Sequence, residues 1–407
     1  TSNPTYSLSA GDVFGIAVDR DNDLVSFYGN DGSLIGSTTI PSGSVIFTAM
    51  AVNTPSSDGW DWNFGDNPTF NGNETAGGNT DAQGNGNFYH SVPTGFKMLR
   101  QDSMPETDKG ISSMVWAKNR DNGNRGHQLY DSSRGPLLTL YPNGNNAEST
   151  NADSLQKFLK GGFSAEDFTG LNEASESHVA WNWVANGGTT SANTDGSGAT
   201  IASTIQANQT AGFSIVKYTG SAHGIGAVPT FIATKNYDDT ASWYVYINGS
   251  HSGDPNTLFM RFDSDDGQDA GGSRWNDTTP TSSVFSVGGD DETNKNTKKF
   301  VAYCWADIPG YSKAGKYTGN GNADGPFIHT GFKPKLVMIK GLNIGNNWIV
   351  WDTERSKINP CDDALYWDLT QAAATSGNDL DILSNGFKCR GTNSNYNGSY
   401  SYGFLAF

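Results

Sequence analysis

A chain of 407 residues with a formal net charge of −16 repels phosphate backbones and anionic lipid, which argues against nucleic acid as a partner. Its 50 Gly, with Asn, Thr, Ser and Asp in place of helix formers, argue against a helical protein, and 11 Trp, 16 Tyr and 21 Phe argue against disorder. No run approaches the roughly 20 apolar residues of a membrane span, so an all-β chain without membrane insertion is expected, in two to four domains.

The first hundred residues read as short strands. VFGIAV at 13–18 and LVSFY at 24–28 flank Asp19-Arg20-Asp21-Asn22-Asp23, a hairpin signal of β-branched and aromatic strands around an Asx-rich turn. Gly29-Asn30-Asp31-Gly32 makes a second turn before Ser33-Leu34-Ile35. Residues 45–52 form a further strand, and Trp60, Trp62 and Phe64 alternate as on a half-buried one. GDVFGIAVDRDNDLVSFYGNDGSLIGS, followed by WNFGDNPTF and VPTGFKML, resembles the C-terminal half of a SPRY-type, concanavalin-like β-sandwich over about residues 10–99. The resemblance implies a sandwich lacking its first half, so further sequence is expected upstream.

From residue 104 the chain repeats itself. SSMVWAKN (112–119), PTFIATKN (229–236) and PKLVMIKG (334–341) carry Lys118, Lys235 and Lys340 at strand ends, 117 (235 − 118) and 105 (340 − 235) residues apart. A turn and a Phe follow in each unit (Phe163, Phe285, Phe387), then an aromatic-rich closing strand at 179–183, 301–305 and 402–406. KYTG occurs at 217–220 and again at 316–319. The organisation expected is a SPRY-like segment at 1–103 and units at 104–199, 200–308 and 309–407. Each unit has the size of a β-sandwich; either three sandwiches in tandem or one pseudo-threefold body fits the pattern. The series MVWAKNR, HQLYDSSRG, FVAYCWADIPGYSKAGKYTGNGNADGPFIHTGFKPKLVMIK and LSNGFKCRG resembles a domain of undefined function in virion and tail-fibre proteins of marine bacteriophages, over about residues 104–407. That resemblance implies an extracellular place on a virus particle and, by analogy, a homotrimer among other virion proteins.

GxSxG, HExxH, P-loop and Rossmann patterns are absent, and no enzyme is expected; a depolymerase with paired carboxylates is the alternative, while Asp153, Glu166 and Asp167, in the one helix-like stretch, read as a solvated face. Asp131 with Arg134, and Asp352 with Arg355, read either as saccharide contacts beside an aromatic or as ion pairs that pin a turn. The strand-end lysines read as guards of sheet edges or as contacts to a neighbouring unit. Trp60, Trp243, Trp275 and Trp348 stand beside polar turns, as aromatics that stack on sugars do, or as packing residues. Asp263, Asp265 and Asp269 form an acidic turn with the oxygen ligands of Ca²⁺ but without the closing Glu of an EF-hand; no other cofactor is expected. Cys361 and Cys389, 28 residues apart and without counterparts in the other units, are a candidate disulfide, while Cys304 reads as a small core residue. The expected function is a virion surface protein, a tail-fibre or receptor-binding component recognising a host polysaccharide. The alternatives are a capsid-decoration or fibre-shaft protein, and a secreted adhesin or filament subunit.

Overall fold

The computed structural model describes residues 9, 11–19, 22–39, 69, 74–81, 86–94, 113–159, 161–185, 191–192, 203–218, 226–248, 255–271 and 273–407. Among the described residues strands hold 42% and helices 3%, so the class is all-β. The residues fall in two compact units, 1–107 and 108–407.

In the first unit, strands Gly15–Asp19, Leu24–Tyr28 and Leu34–Thr39 form an antiparallel sheet in that order. The Asx turn closes the hairpin, because the Asp19 carboxylate accepts from the Asn22 backbone N–H at 3.1 Å and from its side-chain amide at 2.7 Å. Val13, Ala17 and Val25 are buried. The strand expected at 45–52, Asp21 and Trp60 lie outside the described residues.

The second unit contains three large antiparallel sheets with a common strand order. The first runs His178–Trp183, Met114–Asn119, Gln128–Asp131, Gly135–Leu140. The second runs Phe300–Ala306, Pro229–Asn236, Tyr244–Ile247, Leu258–Arg261, and the third Ser401–Ala406, Leu336–Gly341, Ile349–Asp352, Leu365–Tyr366. Beyond the returning strand, Phe213–Tyr218 extends the second sheet and Lys313–Thr318 the third. The second goes on to Ser203–Asn208 and Ser191–Ala192.

Period-two alternation divides each central strand between two cores. Met114 and Trp116, Phe231 and Ala233, Leu336 and Met338 enter one shared cluster. Their neighbours turn the other way into three separate clusters, with Val115 and Ala117 behind the first sheet, Ile232 behind the second, and Val337 and Ile339 behind the third. The shared core holds Trp116, Trp181, Trp183, Trp243, Trp305, Trp348 and Trp367. Each indole is worth about 4–6 kcal/mol at roughly 25 cal/mol/Å² over its 150–250 Å². No sheet could shield its own share alone, so the three are parts of one body rather than separate sandwiches. At one end the returning strands converge, with Trp183 5.9 Å from Trp305 and 5.5 Å from Phe407, ring centre to ring centre.

The helix-like stretch expected around Asp153, Glu166 and Asp167 is instead a hairpin, Leu155–Leu159 with Gly162–Ala165, followed by a single helical turn, Thr169–Asn172. Its apolar residues Leu155, Phe158 and Phe163 cover the back of the first sheet.

Candidate functional site

The residues that repeat along the chain are spent on holding the sheets together. Lys118, Lys235 and Lys340 are fully buried in central strands, so they guard no edge. By strand parity each points to the shared core, and its ammonium meets backbone carbonyls. The Lys235 ammonium donates to Asn236 and Ala241 at 2.7 Å and to Asn145, from the first sheet's chain segment, at 3.3 Å. Lys340 donates to Asn346 and to Asp265, from the second sheet's segment, at 2.9 Å. Lys118 donates to Asn119. Burial pushes all three down to about 8, against the pull of nearby carboxylates.

A second set of locks lies one strand over. The Trp243 and Trp348 backbone N–H groups donate to Asp263 and Asp368, each at 3.1 Å, and that of His127 to Asn143 at 2.7 Å. Their ring nitrogens reach the neighbouring sheet. Trp243 donates to the Tyr141 carbonyl at 3.0 Å and Trp348 to that of Arg261 at 2.7 Å. His127 completes the ring: Trp116 donates to its Nδ1 at 2.9 Å, so its Nε2 carries the proton and donates to the Tyr366 carbonyl at 3.0 Å. Burial keeps this imidazole neutral, its pKa pushed down to about 3.

The two Asp–Arg pairs are a third set, and the structure corrects their reading as saccharide contacts. Arg134 closes on Asp131 and on Glu148 (2.7 Å), and Asp131 also accepts from the Tyr303 hydroxyl of the second sheet at 2.6 Å. Arg355 donates to Asp352 at 2.6 Å, and Asp352 accepts from the Trp181 indole of the first sheet at 3.1 Å. All four charged side chains are at most 6% exposed and have no face left for a ligand.

Burial also corrects the tryptophans. Trp243 and Trp348 are the locks just described, and Trp275, 2% exposed, donates to the Leu258 carbonyl at 3.1 Å and packs edge-on against Tyr246. None of the three offers a ring face to a sugar. The acidic turn does not gather as a Ca²⁺ site. Asp263 is committed to Trp243, Asp265 is exposed, and Asp269 accepts from its own strand at Ala270. Among the described residues no three His, Cys, Asp or Glu side chains converge. The candidate disulfide is likewise corrected, for Cys361, Cys389 and Cys304 are free, buried thiols. Leu380 pairs with Cys361 on one side and with Cys389 on the other, so the two cysteines stand two strand spacings apart. That is about 10 Å, beyond the roughly 7 Å a disulfide can bridge.

Among the described residues, a cleft of about 390 Å³ opens between Arg261, Asp266 and Asp269 and the turn at Leu342, Asn343 and Gly345, and a second opening lies on the third sheet, at residues not singled out in the sequence. A groove of about 310 Å³ runs between strand Lys313–Thr318 and strand Phe327–His329, lined by Lys313, Lys316, Tyr317, Phe327, His329 and Phe404. Phe327 is 45% exposed although it sits on a strand. Gly315 makes the groove possible, since a Cβ there would stand 2.9 Å from the Phe404 ring that floors it. Beside the groove, loops 319–325 and 391–400 are tied into one platform by Asn397. Its buried amide donates to the carbonyls of Asn322 and Gly391, both at 2.7 Å, while its oxygen accepts from the Asn320 N–H at 3.0 Å. Gly319 packs so closely that a Cβ would lie 2.1 Å from the Gly398 carbonyl. Asn320, Asn322, Ser399 and Tyr400 are exposed on this platform, and Tyr317 joins it to the groove by donating to the Tyr396 carbonyl at 2.5 Å. In the structure exposure alternates there, with Ile328 buried between the exposed Phe327 and His329.

A family model described as a domain of unknown function, DUF7483, matches residues 104–407. The chain belongs to this family. No curated protein and no solved structure is similar to it. The matched residues take in all three sheets, the groove and the loop platform.

Proposed function

We propose that this chain is a surface protein of a virus particle, a tail-fibre or receptor-binding component, and that it recognises a host polysaccharide on the outer face of its third sheet. The phage-virion resemblance of residues 104–407 supports the location. The exposed Phe327, beside a groove flanked by polar and basic side chains, is the observation that carries the binding role. An aromatic face stacks on the C–H face of a pyranose, and nearby Asn, Ser and Tyr groups bond its hydroxyls. The loop platform has the Tyr, Ser, Gly and Asn composition of adaptable recognition loops, and its internal hydrogen bonds fix it in advance, which lowers the entropy lost on binding.

The test is binding of the labelled chain to purified bacterial surface polysaccharides, with Phe327→Ala alongside and polymer sizing afterwards. Saturable binding to one polymer, weakened about tenfold or more by Phe327→Ala (a loss of ~1.4 kcal/mol), supports the reading. Shortened polymer would point to a depolymerase. No binding, including to the polymer of the natural host, would leave a decoration or shaft protein as the better account.

A further inference from the structure

We infer that the groove on the third sheet takes a negatively charged saccharide unit, a uronate or a sulfated sugar, so that the polymer recognised is acidic. This rests on the polysaccharide reading and narrows it.

The charge around the groove runs against that of the chain. The whole carries −16, yet residues 313–335 hold Lys313, Lys316, Lys333 and Lys335 against Asp324, with Asp307 beside the strand and accepting from the Ala314 N–H at 2.8 Å. Asp324 is itself neutralised by Lys388 at 2.6 Å. Lys313 and Lys316 line the groove beside His329, and among the described residues no Asp or Glu does. With a screening length of about 8–10 Å at physiological salt, the two lysines outweigh the distant net charge. Against the chain's overall negative charge, the groove is locally basic.

The second sheet provides an internal control. Its strand Phe213–Tyr218 pairs with the returning strand in the same register as Lys313–Thr318 does. Ser214 faces Cys304 and Val216 faces Ala302, where Lys313 faces Ala406 and Gly315 faces Phe404. Ser214 and Val216 are wholly buried, with Ser203–Asn208 running alongside. The third sheet replaces that neutral pair with a lysine and a glycine, which gives the position a charge and room beside it. The arrangement suits a ring laid against Phe327, with its anionic substituent toward Lys313 and His329.

The experiment uses the full chain and a panel of bacterial surface polysaccharides, each tested intact, after carboxyl reduction, and after desulfation. Variants are Lys313→Gln with Lys316→Gln, and Lys357→Gln, an exposed lysine that does not line the groove. The expected result is tenfold or greater weakening on removal of the acidic group and a similar loss in the double variant. Lys357→Gln should bind as the parent does, and melting temperatures should be unchanged throughout. Loss on carboxyl reduction identifies a uronate, and loss on desulfation a sulfated sugar. Equal binding to the neutralised polymer, or an equal loss with Lys357→Gln, overturns the inference while leaving the polysaccharide reading in place. Absence of binding to every polymer overturns both.

Discussion

At one register position the first and third sheets carry Asp131 and Asp352, each closed by an arginine three residues on, where the second sheet carries Ile247. The neighbouring sheets answer in kind. Tyr303 and Trp181 bring a hydroxyl and an indole N–H to the two aspartates. Ile247 instead lies 3.3 Å from where a Cβ on Gly403 would stand, in the same core as Leu405. Both solutions are internally consistent, because a buried polar atom is either met on the far side or absent from both sides. These positions are chosen for each other across the sheets, which leaves none of them for a ligand.

The largest expected effect comes from breaking one such match. Asp131→Ala should cost about 3–5 kcal/mol, since it leaves the Arg134 guanidinium and the Tyr303 hydroxyl buried and half paired. Asp131→Ile combined with Arg134→Met and Tyr303→Phe, which imports the second sheet's apolar logic, should recover most of that loss. Urea denaturation of the second unit's signal checks both. A single variant within about 1 kcal/mol of the parent would mean that the charged pair is not a lock and that the sheets differ only in decoration.

Much of this architecture was legible in the sequence. The strand ends at Lys118, Lys235 and Lys340 and the hairpin at Asp19–Leu24 form as expected. The direction of each aromatic was not. Residues Trp243 to Ile247 are apolar on both faces because both faces are buried, so polarity offers no phase. Nor does Asp131 announce itself, since its partner Tyr303 lies 172 residues away. His127 was the avoidable miss. It precedes Asp131 by four residues, as Trp243 precedes Ile247 and Trp348 precedes Asp352, and that spacing marks it as their counterpart.

A subtler contrast separates Asn143 from Asp368, which do the same work for His127 and Trp348. Burial raises the Asp368 carboxyl to about 7, with the Lys340 ammonium opposing the shift. In the unfolded chain it titrates near 4. The native state therefore binds the extra proton between these values, and the stability it contributes is complete below pH 4 and lost as pH rises through 7. Asp368→Asn, which copies the first sheet, should gain on the parent over that range by about 1–3 kcal/mol. Denaturation at pH 4, 6 and 8 reads the difference; a constant offset would show that the carboxyl ionises normally.

Smaller effects are expected where the third sheet departs from the second at its open edge. Gly315→Ala pushes a methyl to 2.9 Å from the Phe404 ring, at a cost of about 1 kcal/mol, and should weaken polymer binding by narrowing the groove. Phe327→Ala should leave stability within about 0.5 kcal/mol of the parent, because nearly half of the residue is already in water. Its effect should appear in binding alone. If the melt shifts as far as for Gly315→Ala, Phe327 is packing rather than presenting a face, and the open edge of the third sheet has to be read as structure like the sealed edge of the second. A melt that stays put while binding falls separates the two sheets by use: one position filled by the chain itself, the other left for a ligand.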